Sequence, residues 1–189
     1  MDWSRDSRIQ DAVDLLRRGE IIAYPTEAVW GLGCDSQNEQ AMLNLLALKH
    51  RDYEKGMILV AADTEQFADY LRPLTAQQRQ RLRESWPGPH TWIVPDLEHQ
   101  VPQWIRGQYH SVALRVSAHP LVAALCRAFG GPIVSTSANP QGHPPALQAE
   151  QVQGYFGDRV AMITPGSVGA QDKPTQIRDL ITGQVVRAG

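Results

Sequence analysis

The sequence predicts an α/β fold, a single domain over residues 1–189 whose twisted sheet mixes parallel and antiparallel strands between flanking helices. Three observations predict it. Short apolar runs alternate with amphipathic stretches along the chain. Gly and Pro are dispersed as turn punctuation, with no fixed-period repeat, low-complexity tract or long linker to divide it. The last fifteen residues read as a hairpin, which brings antiparallel pairing into a sheet whose other strands are separated by helices.

Taken in order, Ile9, Val13, Leu15 and Leu16 mark a first helix that stops at Gly19, and Glu20 to Tyr24 read as a buried strand ended by Pro25. Ser36 followed by Glu39 reads as a capping box. The helix it opens has the core stripe Ala41, Met42, Leu45, Leu46 and Leu48 and delivers Lys49 at its C-terminal end. Met57 to Ala61 is a short strand, and Thr75 with Gln78 caps an Arg-rich helix ending near Trp86-Pro87-Gly88-Pro89. Thr91 to Val94 and Val112 to Val116 are further strands. Pro120 sits in the first turn before a buried helix, Leu121 to Phe129, closed by Gly130-Gly131. Pro132 to Val134 then returns as a central strand. Thr175 to Ile181 and Gln184 to Arg187 flank Thr182-Gly183, read as a two-residue hairpin turn.

Composition narrows the function classes. A chain of 189 residues should expose roughly 9,000 Å² folded against roughly 30,000 Å² unfolded, enough burial for one real core. Its 42% hydrophobic and 20% charged residues are ordinary globular values. The longest apolar run, Met57 to Ala62, is far shorter than the ~20 residues of a membrane span, and Met-Asp-Trp-Ser-Arg-Asp is neither a secretory signal nor a transit peptide. A cytoplasmic location is expected. Cys34 and Cys126 lie far apart and form no CxxC pair, so reduced thiols are expected. Net charge is −2, which argues against whole-surface nucleic-acid binding and makes any basic site local. Of the 18 bases only Lys49, Lys55 and Lys173 are lysines, and two of them flank Arg51.

Four segments can carry chemistry. Pro25-Thr26-Glu27-Ala28-Val29-Trp30-Gly31-Leu32-Gly33 follows a strand end, where α/β folds place ligands. Gly31 and Gly33 start like a dinucleotide fingerprint, but Ser36 stands at its third position and no Walker A sequence exists. Lys49, Arg51 and Lys55 form a cationic cluster that either clamps a polyphosphate or caps the carbonyl end of a helix, with His50 a solvated neighbour. Arg115 shares a strand face with Ser111 and Ala113, and burial would demand either an internal carboxylate or an anionic ligand. Ser135-Thr136-Ser137-Ala138-Asn139 offers hydroxyls and an amide as ligand contacts, or serves as a cap or turn. No GxSxG elbow and no metal-ligand spacing of histidines is present, so no metal site is expected.

Together these segments resemble the YrdC (TsaC) family of threonylcarbamoyl-AMP synthases. The resemblance runs from about Ile9 to Gly189 through Pro-Thr-Glu-x-Val-x-Gly-Leu-Gly at 25 to 33, Lys-x-Arg at 49 to 51, Lys55-Gly56, Trp-Pro-Gly-Pro at 86 to 89, Ala-Leu-Arg-Val at 113 to 116, Ser-Thr-Ser-Ala-Asn at 135 to 139 and Pro-Thr-x-Ile-Arg-Asp at 174 to 179. In length it is similar to the short bacterial type. The resemblance implies an open, barrel-like sheet around a concave basic cavity, and a nucleotidyltransferase that makes threonylcarbamoyl-AMP and pyrophosphate from L-threonine, bicarbonate or CO2 and ATP.

By position it implies that Thr26, Arg115, Ser135 and Thr175 hold threonine. Lys49, Ser111, Ser137 and Arg187 would face ATP, with Arg51 and Lys55 in the same cavity and Asn139 supporting the loop. Lys49, Arg51 and Arg115 are then the catalytic candidates. Thr175 stands where many relatives have Ser, and Lys55-Gly56 where many have Asn-Pro. Mg2+ would arrive with ATP, and the product would pass to a transferase complex of the TsaB, TsaD and TsaE type that modifies tRNA. A weak direct contact with tRNA or another RNA stays open. Because carbamates are short-lived in water, Pro165 to Lys173 is expected to close over the site. Two competing readings are a non-catalytic RNA-binding or ribosome-maturation protein using the Arg72 to Arg83 helix, and a carbamoyl-transfer domain of the hydrogenase-maturation kind. The latter's acylphosphatase and zinc-finger companions are missing here.

Overall fold

A computed structural model describes residues 3–171 and 174–188. Helix α1 (Ser7–Arg17) opens at Asp6, whose side chain accepts from the Arg8 amide, and buries Ile9, Ala12, Val13 and Leu16. It closes at Gly19, in the left-handed region at φ +81°. Glu20 still donates its amide to Leu15 of that helix end, so the expected strand start at Glu20 is corrected: β1 runs Ile22–Pro25. The chain then turns through Thr26 to Val29 and returns antiparallel as β2 (Trp30–Gly33). That second strand was not anticipated, because its turn carries no Gly or Asn and two glycines break its apolar pattern.

Helix α2 (Glu39–Lys49) is capped by Asn38, whose Oδ1 accepts from the Ala41 amide at 3.0 Å. The Ser36/Glu39 capping box is therefore overturned. Ser36 lies two positions before that cap and its hydroxyl donates to the Pro132 carbonyl instead. Strand β3 (Ile58–Ala61) follows, then the single turn α3 (Ala68–Leu71) and α4 (Ala76–Ser85), which has the expected Thr75/Gln78 capping box. Strand β4 (His90–Pro95), the short α5 (Gln103–Arg106) and β5 (Ser111–Val116) lead to α6 (Pro120–Phe129), with Pro120 in its first turn and Gly130 left-handed at its end. Strand β6 (Ile133–Ser137) is followed by two elements the sequence reading did not place, α7 (Ala149–Phe156) and β7 (Met162–Ile163).

The chain ends in β8 (Gln176–Asp179) and β9 (Val185–Arg187), paired antiparallel as expected. The connection is five residues, 180–184, not two. Leu180 is drawn fully into the core with its amide on Ile93, and the Asp179 carboxylate gathers the amide and hydroxyl of Thr182.

The nine strands form one sheet in the order β7-β1-β2-β6-β3-β5-β4-β8-β9, with β6 inside as expected. Three parallel pairs (β1 with β7, β3 with β5, β4 with β8) are interspersed among five antiparallel ones, so the α/β mixed sheet is observed. Accessible surface is 9199 Å², matching the size expectation. One face packs Leu32, Leu59, Leu114, Trp92 and Val134 against α2 and α4. The other packs Ile22, Tyr24, Val60 and Ile133 against α1 and α6. The cysteines fall one to each layer, Cys34 in the first and Cys126 in the second, both as free thiols that burial pushes up to about 12. Among the described residues no helix is long and apolar enough to cross a membrane.

Gly33 owes its identity to a close approach. A Cβ there would lie 2.5 Å from the Val134 carbonyl oxygen and 2.8 Å from the Tyr24 ring, whose hydroxyl donates to that same carbonyl. Backbone cannot yield as a flexible side chain can. Gly33→Ala is expected to destabilise the protein by about 1–3 kcal/mol in urea unfolding, whereas Gly131→Ala, which meets nothing within 4 Å, should cost much less.

Candidate functional site

Alternation along the strands decides which residues meet. Side chains two apart share a sheet face, and the register carries that face from strand to strand. Ile58 is opposite Ser135 and Ala113, and Val60 is opposite Ile133 and Arg115. Gly31 is opposite Ser137, Ile93 opposite Ala113, Pro95 opposite Ser111, and Ile177 opposite Arg187. The face that α1 and α6 cover at one end therefore continues past them as the floor of a basic hollow.

That hollow has three lobes meeting at Arg51. The first, about 310 Å³, is lined by Thr26, Arg115, Ser135, Ser137, Thr175 and Arg187 among others. The second, about 320 Å³, is more apolar, with Ile58, Ile93, Ala113 and Ile177 behind Tyr109, Ser111 and Arg187. The third, about 250 Å³, is lined by Lys49, Lys55, Ser137 and Asn139. Every site residue named from the sequence thus lies on one connected hollow.

Most are held by specific contacts. The Thr26 hydroxyl donates to Val29 across the β1–β2 turn at 2.7 Å, and the Thr175 and Thr91 hydroxyls share a hydrogen bond. Arg187 donates to the Thr175 carbonyl and Arg51 to the Gly56 carbonyl. The Ser137 hydroxyl donates to Asn139 Oδ1 at 2.6 Å, while the Asn139 amide holds the carbonyls of Pro140 and His143. Lys55 pairs with Asp52 at 2.7 Å on the exposed rim, where solvent screens the pair. His50 is exposed in the left-handed region and caps α2, as expected of a solvated neighbour.

Lys49 departs from both sequence readings. It neither caps its own helix nor reaches freely into the hollow: it is 4% exposed, and its ammonium donates to the carbonyl oxygens of Ser137 and Asn139. Burial, and then Arg51 nearby, brings its pKa down to about 8. Burial also lowers Arg51 and Arg187, the first further by Arg187 and the second by Arg115. Guanidinium groups stay charged regardless, so the hollow holds a surplus of positive charge that favours a polyanion.

Arg115 is 5% exposed and has the internal carboxylate that one reading of it required: Nη1 lies 3.3 Å from Glu27 Oε2. Sequence reasoning passed over Glu27 as a partner, since only the unanticipated β1–β2 turn brings it against β5. The expected Arg72 to Arg83 helix is corrected, since Arg72 lies between α3 and α4, and its arginines are largely occupied by their own surroundings. Arg72 pairs with Asp69 and Glu98, and Arg79, Arg81 and Arg83 donate to Leu74, Leu180 and Gln80. Residues 165–171 lie docked on the β1–β2 turn, with the Gly169 and Gln171 amides on the carbonyls of Thr26 and Glu27. Of the segment read as a closing element, Asp172 and Lys173 lie outside the described residues, as does Gly189 at the end of the resemblance. Among the described residues no cluster of three or more His, Cys, Asp or Glu side chains could hold a metal ion.

The low pKa of Lys49 has a signed consequence. Between about 8 and the ordinary lysine value of 10.5 the unfolded chain holds a proton that the folded chain has lost, so stability rises with pH across that window. Relative to Lys49→Met, the wild type is expected to gain up to about 3 kcal/mol between pH 7.5 and 10.5, measured by urea unfolding at each pH.

Comparison with known proteins agrees with this geometry. Residues 14–189 match the model of the Sua5/YciO/YrdC family, described as "Telomere recombination". The chain is 52% identical over 187 residues to a protein of Cellvibrio japonicus named threonylcarbamoyl-AMP synthase, covering 99% of this chain and 98% of that one. It is 53% identical over 180 residues to a protein of the same name from Chromohalobacter salexigens, covering 95% and 96%. The structure of P. abyssi Sua5 complexed with L-threonine superposes with a TM-score of 0.85 at 29% identity over 92% of this chain. The chain spans about half the length of that protein, 51%. Sequence, sheet order and hollow converge, and the chain belongs to the Sua5/YciO/YrdC family.

Proposed function

We propose that this chain is a threonylcarbamoyl-AMP synthase, a cytoplasmic nucleotidyltransferase that joins L-threonine, bicarbonate or CO2 and ATP with release of pyrophosphate. The observation that carries this reading is the placement of all eleven sequence-derived site residues on one basic hollow, in a chain about half identical to proteins of that name. Its product serves the formation of N6-threonylcarbamoyladenosine in tRNA, handed on to a transferase complex of the TsaB, TsaD and TsaE type.

The lobes suit three chemically different pieces. Threonine fits the hydroxyl-lined first lobe, with its carboxylate on Arg115 and its polar groups near Thr26, Ser135 and Thr175. The nucleoside fits the apolar second lobe beside Ser111. The phosphates run past Arg51 toward Lys49, Lys55, Ser137 and Arg187, with Asn139 fixing the loop. Mg2+ would enter with the nucleotide substrate, on its phosphates.

The reaction needs no nucleophile from the protein. The threonine amine adds to CO2 and loses a proton, giving a carbamate. A carbamate oxygen attacks the α-phosphorus, the bond to the β-phosphate oxygen breaks, and pyrophosphate leaves with the electron pair. Holding the two substrates in line and neutralising the leaving anion supply the acceleration. Lys49 and Arg51 do the second, Arg115 the first. The docked 165–171 segment closes the threonine side and shields the carbamate from water.

Pyrophosphate release by the purified chain is expected to require ATP, threonine and bicarbonate together, and to fall when serine replaces threonine. Release that ignores threonine would sink the reading. Lys49→Ala should raise the ATP KM about tenfold with little change for threonine, and Arg115→Ala the reverse. Partial proteolysis within 165–171 should slow when ATP and threonine are both present.

A further inference from the structure

Glu27 and Ser117 sit behind the hollow rather than in it, and neither entered the reading above. Glu27 is 7% exposed. Its Oε1 accepts the Ser117 hydroxyl at 2.7 Å and the Ala118 amide at 3.0 Å, which fixes the carboxylate against the end of β5. The Ser117 oxygen in turn accepts the His119 amide at 3.1 Å. Its other oxygen, Oε2, faces Arg115 at 3.3 Å yet makes no hydrogen bond, and Arg115 Nε is likewise buried without a partner.

The pair is therefore charge-balanced without being saturated. A buried guanidinium left alone would cost several kcal/mol. One locked in a two-pronged carboxylate pair would have no donors left for a ligand. Here the first cost is offset and the second loss avoided, because the Glu27 oxygen best placed for hydrogen bonds is spent on Ser117 and Ala118.

We propose that Glu27 is a positioning residue that holds Arg115 in its ligand-ready orientation, so that a carboxylate entering the first lobe meets a guanidinium already in place. This rests on the reading of Arg115 as the group that binds the threonine carboxylate. Glu27 also joins three segments: its side chain holds the β5–α6 connection, and its own carbonyl accepts the Gln171 amide of the docked segment. Orientation of the arginine and seating of that segment thus share one residue.

The test is steady-state pyrophosphate release with threonine and ATP varied separately, for wild type, Glu27→Gln, Arg115→Ala and the double variant. Gln keeps the length and the acceptor for Ser117 while removing the charge that faces Arg115. Glu27→Gln should raise the threonine KM about tenfold and leave the ATP KM within about twofold. The double variant should bind threonine no worse than Arg115→Ala alone, because Glu27 acts through that arginine. An unchanged threonine KM in a folded Glu27→Gln protein, with Arg115→Ala impaired, overturns the proposal. So do additive losses in the double variant, which mark a merely structural role. An unimpaired Arg115→Ala overturns the underlying reading instead. Should Glu27→Gln fail to fold, Ser117→Ala removes one of the donors fixing the carboxylate without altering the hollow. A rise of about two- to fivefold in the threonine KM is then expected, and no rise overturns the proposal.

Discussion

Two-sided strands are the constraint on which the rest depends. A strand presents its side chains alternately to two faces, so a sheet with helices on both faces becomes apolar on both unless one face is left partly bare. Here α1 and α6 cover only the β1–β6–β3 end of their face. Beyond them the same positional series that gives Val60 and Ile133 to the core gives Ile58, Arg115, Ser135 and Ser137 to the hollow. Core and site are successive residues of the same strands, which is how a small α/β chain builds a rigid floor for a ligand without long loops.

The same constraint explains what was legible beforehand. Strand and helix existence followed from local pattern wherever apolar spacing was strong, as in α1, α6, β3 and β5. The in-register alternation of Ser111, Ala113 and Arg115 was readable too, because periodicity two needs no knowledge of neighbours. What local pattern missed was set by tertiary demands. Strand β2 is hidden by Gly31 and Gly33, whose missing side chains make room for the Tyr24 ring. The five-residue β8–β9 connection exists because Leu180 is wanted in the core more than in a turn. The Asn38 cap won over Ser36 by standing next to the helix, a two-position distinction that sequence patterns rarely resolve.

For the site, the eleven residues came from motif resemblance, and the sheet register supplies the reason they converge. Their partners were not legible. For Arg115 the sequence poses an internal carboxylate and an anionic ligand as a choice, whereas the structure pairs it with Glu27 and still leaves it lining the hollow. From the sequence Lys49 reads as clamping a phosphate or capping its own helix, yet its ammonium rests on the backbone carbonyls of Ser137 and Asn139 at the end of β6. A charge held by carbonyls rather than by a carboxylate is not neutralised, so it keeps its pull on an incoming phosphate while its position is fixed.

The two cysteines extend this picture into dynamics. Cys34 lies in the layer beneath α2 and Cys126 in the layer beneath α1, each fully shielded and each with its thiolate form disfavoured. A thiol reagent can reach either sulfur only when its own layer opens. The chain thus carries two internal clocks, one on each side of the sheet. Their separate labelling rates distinguish whether the helices that frame the hollow breathe independently or whether the sheet comes apart as a whole.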